Sequence, residues 1–338
     1  MPALRNRVVL AARGMKAFLG VEVGLARGEA LEDLHRQVAE KEKEISRLQG
    51  KVAAGGSRMP GVRAGGVDPE KIVWIFGVAR VGSTWLASMM GEPAGHTVWN
   101  EPRVGSLFGD FYYGRGAHRG GRHGILGGSE EGRSRTIRAF ILAAAGAKFG
   151  RRMNGGYLVI KEPNGSNGAP LLVRALPESR VIFMVRDPRD VVASSLGAAT
   201  GGGWYAEARK RRGASKEQSP EEIVEDRAKR YVEYIGRSRE AYESHEGPKT
   251  LVRYEDLRAD TPGTMKRLYS DLKMSVGEEE ISRAVGEHSW ENIPDEEKGS
   301  DRFYRKATPG GWREDLTPEQ AQTVERITAP LLEEFYPG

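Results

Sequence analysis

The chain of 338 residues contains no cysteine. That excludes disulfides, thiolate metal sites and a cysteine nucleophile, and it fits a reducing, cytoplasmic setting. No apolar run approaches eighteen residues, so no membrane-spanning helix is expected. Acidic side chains are missing from the first twenty-one residues, while the chain as a whole carries a formal net charge of +5. A surplus of that size is a mild bias toward anionic ligands and does not by itself indicate nucleic acid.

What is present centres on one run, Lys71–Met90. Ile72–Phe76 is apolar, β-branched and aromatic, the pattern of a buried strand. Gly77-Val-Ala-Arg-Val-Gly82-Ser83-Thr84 then turns the chain, and Trp85–Met90 begins a helix. A glycine loop between a strand and a helix presents free backbone N–H groups at the positive end of the helix dipole, which is an anion site. The spacing of Gly77 and Gly82 fits the Walker A loop, which requires lysine where this chain has Ser83. The only nearby cation is Arg80. The loop therefore predicts a phosphate cradle that is not that of an ordinary nucleoside triphosphatase.

Three stretches organise the rest. In residues 1–49, Leu4, Val8, Ala11, Met15 and Phe18 share one helical face among Arg5, Arg7, Arg13 and Lys16. A peripheral membrane helix, a presequence and a solvated helix all fit that pattern. Leu31, Leu34, Val38, Ile45 and Leu48 keep a heptad spacing with Lys41 in the seam. This short coiled coil would serve homo-oligomerisation or docking onto the main domain. Gly-rich residues 50–67 read as a linker, which puts the main domain at 68–338.

Within that domain, Tyr157–Ile160, Arg180–Val185 and Thr250–Tyr254 read as further strands. Ser219-Pro220-Glu-Glu222 and Thr317-Pro318-Glu-Gln320 mark helix starts. Strands alternating with helices predict an α/β fold: a central parallel sheet in three P-loop-like layers, with ligands at the carboxyl ends of its strands.

The motifs at those ends resemble one family. Arg80-Val81-Gly82-Ser83-Thr84-Trp85 resembles the 5′-phosphosulfate loop of sulfotransferases, which use 3′-phosphoadenosine 5′-phosphosulfate (PAPS) as donor and release adenosine 3′,5′-bisphosphate (PAP). The strand ending at Arg186, with Ser194 eight residues later, resembles the family's 3′-phosphate motif; a forked guanidinium and a hydroxyl suit that anion. Arg305-Lys306-Ala307-Thr-Pro-Gly310-Gly311-Trp312-Arg313 resembles the segment that closes over the nucleotide, with Ala307 for the usual glycine and Gly311 for the usual aspartate. By the same resemblance, Trp85, Trp290 and Tyr254 hold the adenine, where aromatic stacking on a base contributes about 1–3 kcal/mol.

Sulfuryl transfer is an in-line displacement that needs a base for the acceptor hydroxyl and cations for the charge that develops. The resemblance gives Arg80 and Lys161 the cationic roles. Pro163 stands where the cytosolic enzymes have their histidine base. Asn100-Glu101-Pro-Arg103-Val resembles a stretch of the tyrosylprotein sulfotransferases, and several carbohydrate sulfotransferases also use a carboxylate base. Glu101 is thus the expected general base, followed by Glu162 and then His96, with a structural salt bridge from Glu101 as the competing role. Two phosphate clamps built from amides, Arg and Lys leave no obligatory place for a metal. By the same resemblance, Arg103 to Arg152 lines the acceptor site, with a solvated loop as the competing reading; the stretch is basic and carries Phe108, Phe111, Tyr112 and Tyr113. It suits a small-molecule or glycan acceptor that is anionic or sugar-bearing. A P-loop kinase, which would need lysine at position 83 and Mg²⁺ ligands, and an inactive scaffold on the same fold are the competing classes.

Overall fold

The computed structural model describes residues 67–116, 126, 128–150, 153, 155–200, 218–292 and 308–337. The basic helix, the coiled coil, most of the linker and Arg305, Lys306 and Ala307 lie outside the described residues. Five strands form one parallel sheet: β1 (Ile72–Phe76), β2 (Thr97–Asn100), β3 (Leu158–Lys161), β4 (Arg180–Val185) and β5 (Lys249–Arg253), in the order β2-β3-β1-β4-β5. Ile72 of β1 pairs with Leu158 of β3, and Val73 with Arg180 of β4. β1 is central because every one of its side chains is buried, as its unbroken apolar run requires of a strand covered on both faces.

Alternate residues of β1 face opposite cores. Val73 and Ile75 pack with Leu86, Met89 and Met90 of α1 (Ser83–Gly91). Ile72, Trp74 and Phe76 pack instead with Val104 and Phe108 of α2 (Val104–Gly109), Ile137 and Ile141 of α3 (Glu130–Phe149), and Leu172 of α4 (Ala169–Ala175). The expected helix–sheet–helix layering is therefore present. Both expected capping boxes form, at Ser219 for α6 (Pro220–Ser244) and at Thr317 for the C-terminal helix, α11 (Pro318–Phe335). α5 (Pro188–Thr200) precedes α6, and α7 (Tyr254–Ala259), α8 (Thr261–Asp271), α9 (Glu278–Glu287) and α10 (Trp312–Asp315) lie between α6 and α11. The strand that sequence does not mark is β2, a four-residue edge strand with one neighbour and no fully buried position.

After β3 a tight turn, Pro163–Gly168, packs backbone to backbone against α2. A Cβ on Gly105 would stand 1.9 Å from the carbonyl oxygen of Gly165, and one on Gly168 would stand 2.1 Å from that of Gly105. No side chain fits there. Gly105→Ala is expected to lower stability by about 1–3 kcal/mol, the usual cost of overpacking. A fall in the urea midpoint with unchanged m-value would show it; an unchanged midpoint would mean the two backbones separate freely.

Candidate active site

The sheet order turns the connection after β1 toward β2 and the one after the adjacent β4 toward β5, so the carboxyl ends of β1 and β4 flank the switch point at which parallel sheets bind ligands. The loop there ends in Gly82 at φ 96°, where a Cβ would meet the Tyr254 ring at 2.5 Å. Only glycine allows both the left-handed backbone and that contact. Gly82 is also the N-cap of α1, and no side chain caps the helix. The first amides of α1 thus have no intrahelical or capping partner, and they point from the positive end of its dipole.

Two side-chain clusters flank this helix start. In the first, Nζ of Lys161 donates to Oγ1 of Thr84 at 2.8 Å and lies 2.8 Å from Oε1 of Glu101. Lys161 is the last residue of β3, and its side chain is only 4% exposed. Glu101 follows the end of β2, where its N–H bonds the Lys161 carbonyl, and its side chain is 33% exposed. Nδ2 of Asn164 donates to the other Glu101 oxygen at 2.7 Å. Burial pushes the Glu101 carboxyl up, but the hydrogen bond and charge of Lys161, with Asn164, outweigh it and hold the group below the ordinary carboxylate range. The result is an ionised carboxylate, fixed by two donors and open on one side.

In the second cluster, Nε of Arg80 donates to Oγ of Ser194 on α5 at 3.0 Å. Nη1 of Arg186 donates to the Arg80 carbonyl at 3.2 Å, and its guanidinium lies over the Tyr254 ring at 4.2 Å. Nε of Arg186 is buried and has no hydrogen-bond partner. A guanidinium fixed on one side with a donor left over is suited to grip an anion. The structure thus places Arg80 with the Arg186–Ser194 grip, while Thr84 links the loop to Lys161.

Backbone strain marks the same place. Among the described residues, the non-glycine residues with positive φ are Arg80 at 74°, Glu101 at 47°, Arg103 at 60° and Lys273 at 52°. The first three belong to this site or border it. Such conformations cost of order 1–3 kcal/mol each and gather where function requires them.

The two other expected bases have different positions. Glu162 is fully buried, and its carboxylate oxygens accept the backbone N–H groups of Arg103 and Gly105 at 3.0 Å each, which anchors the start of α2. Burial raises its pKa to about 7, a value that suits a base. Both oxygens are nevertheless occupied, and neither meets solvent, whereas a general base needs a face open to the proton it takes. His96 precedes β2, at the amino end of the sheet; its ring bonds the Met90 carbonyl, and burial lowers its pKa.

Among the residues expected to hold adenine, the Trp85 indole N–H donates to the His288 carbonyl at 2.7 Å, and its ring meets Tyr254 edge-on at 6.3 Å. Tyr254 is buried beneath the loop, while Trp85 is half-buried. Trp290 begins the short turn after α9. Sequence reasoning did not single out Asn164, which holds Glu101, or Ser166, whose Oγ accepts the Gly77 N–H at 3.0 Å. Nor did it single out Asp190, which binds the C-terminal segment. Each acts across a distance in sequence, and no local pattern announces it.

The model of the sulfotransferase family matches residues 73–278. Among curated proteins, the chain is 35% identical over 107 residues to cytosolic sulfotransferase 13 of Arabidopsis thaliana, a match covering 27% of this chain and 33% of that protein. The chain spans about a third of the length of the curated relatives it matches. Of solved structures, mouse sulfotransferase SULT7A1 complexed with PAP aligns at TM-score 0.49 and 13% identity, covering 80% of this chain and 88% of that one. Sulfotransferase STF9 from Mycobacterium avium aligns at TM-score 0.49 and 15% identity, covering 85% and 81%.

Proposed function

This chain belongs to the sulfotransferase family, and on that premise we propose that it moves the sulfuryl group of PAPS to an acceptor hydroxyl with Glu101 as general base. The acceptor oxygen forms a bond to sulfur as the bond from sulfur to the 5′-phosphate oxygen breaks. The hydroxyl proton goes to Glu101, and the leaving pair stays on PAP. The observation that carries this reading is the Lys161 contact set: one buried ammonium touches both the Glu101 carboxylate and Thr84 at the start of α1. A base and a cation for the leaving oxygen therefore stand side by side at an anion-binding helix end. Arg80, Arg186 and Ser194 would hold the 3′-phosphate, and Arg305, Lys306 and Ala307 would close over it.

Isothermal titration with PAP and with ATP tests the donor. Binding of PAP with no preference for ATP supports the reading; preference for ATP favours the kinase alternative, and binding of neither favours an inactive scaffold. Transfer is expected to survive EDTA, because amides, Arg and Lys do the neutralising that Mg²⁺ does in phosphoryl transfer. A strict Mg²⁺ requirement would overturn this. For the acceptor we retain a small molecule or glycan. Exposed Phe111 and Tyr113 beyond α2, with Arg237 over the Tyr113 ring at 3.9 Å, give the kind of aromatic and cationic surface a sugar-bearing anion uses. Radiolabelled PAPS with fractionated cell extract would identify it.

A further inference from the structure

Asp190 is a buried carboxylate that the proposed chemistry does not use. It is 3% exposed and stands on the first turn of α5, four residues after Arg186. Acids at this position commonly reach back to cap their own helix. Here Asp187 caps the helix start, its Oδ1 accepting the Arg189 N–H at 2.8 Å, and another acid, Glu255, takes the reach-back bond to the Asp187 N–H at 3.0 Å. Asp190 is thereby released to bind a distant segment. Its two oxygens accept the N–H groups of Gly310 at 2.8 Å and Trp312 at 2.9 Å.

A neighbouring stack holds the same turn. The Arg189 guanidinium lies 4.4 Å from the Trp312 ring centre and pairs with Asp187 and Glu325 at 2.7 and 2.9 Å. Nη2 of Arg186 stands 3.9 Å from Asp190, the edge of ion-pair range. The carboxylate is therefore committed to the two amides at hydrogen-bond distance, and Arg186 keeps its fork for another anion. Without those amides, the nearest partner for Asp190 would be Arg186 itself.

We propose that Asp190 is a positioning residue: it pins the Gly310–Trp312 turn beside Arg186 and so sets the grip on the donor's 3′-phosphate. This rests on the donor reading given above. The pinned turn directly follows the Arg305–Ala307 segment that the sequence resemblance assigns to that phosphate.

The test uses the full chain, with Asp190→Ala and the isosteric Asp190→Asn, which offers one acceptor where two are needed. PAP and adenosine 5′-monophosphate, which lacks the 3′-phosphate, are titrated against each, and hydrogen exchange is followed at the Gly310 and Trp312 amides. Both variants are expected to lose protection at those amides and to bind PAP about tenfold or more weakly, the scale of a lost charge-assisted contact. Affinity for the 5′-monophosphate should hardly change. Equal losses for both ligands would overturn the proposal in favour of a general structural role. Unchanged or tighter PAP binding would overturn it too, the latter showing that Asp190 only competes for Arg186. If the wild-type chain binds no PAP, the donor reading fails first, and the exchange result still reports whether the tether exists.

Discussion

Glu101→Gln is expected to lower turnover by about two to four powers of ten, the usual range for removing a general base. PAP binding should stay close to wild type. Glutamine keeps an oxygen for the Lys161 ammonium, 2.8 Å away in the native site, so the buried cation is not stranded. What glutamine cannot do is accept the acceptor's proton. The pH profile gives a second reading of the same group. The native Glu101 carboxyl sits below its ordinary value, so it is ionised from neutrality down to the acid range. The acid limb of kcat/KM should therefore lie below the usual carboxylate range. By the same linkage, Glu101 contributes stability that is present above its unfolded value and lost as pH falls through the depressed one.

Glu162→Gln is the control. Its amide would turn an NH₂ group toward one of the Arg103 and Gly105 N–H groups that the native carboxylate accepts, so the expected loss is in stability. If Glu162→Gln abolishes turnover in a folded protein that still binds PAP, while Glu101→Gln does not, the roles are reversed. Activity in both variants would remove the carboxylate base altogether.

Arg186→Ala is expected to weaken PAP binding by about 30- to 5,000-fold, which corresponds to the roughly 2–5 kcal/mol lost on truncating one partner of a desolvated charge pair. The loss for adenosine 5′-monophosphate should be far smaller. Arg186 also donates to the Arg80 carbonyl and covers the Tyr254 ring, so some general disorder of the loop is expected. The comparison of the two nucleotides separates the effects, because disorder weakens both alike. Arg186→Lys should fall between, since it keeps the charge and loses the fork. Equal losses for both nucleotides would make Arg186 structural.

Much of the architecture was legible because parallel strands buried on both faces must be apolar throughout. Ile72–Phe76 and Arg180–Val185 have the same bounds in sequence and structure. The other two strands shift by one residue, to Leu158–Lys161 and Lys249–Arg253. β2 was not delimited, because a half-buried edge strand of four residues carries no comparable run. Helix starts at Ser219 and Thr317 could be read because a cap is a contact between residues three apart.

The glycine loop, too, was local: Gly82 followed by Ser83 and Thr84 marks both the expected anion cradle and the missing Walker lysine. Sequence alone thus determined the fold class, the place of the glycine loop between β1 and α1 and the set of charged groups near it. It could not rank Glu101, Glu162 and His96, since the difference among the three is one of surroundings. Tertiary structure put Glu101 at the carboxyl edge beside Lys161, sealed Glu162 under the α2 amides and left His96 at the opposite end of the sheet. It also brought Asp190 to Gly310 and Trp312, 120 and 122 residues away. A carboxylate's role depends on which donors reach it and whether water does, and those neighbours come from strand order and packing, which no short stretch of sequence contains.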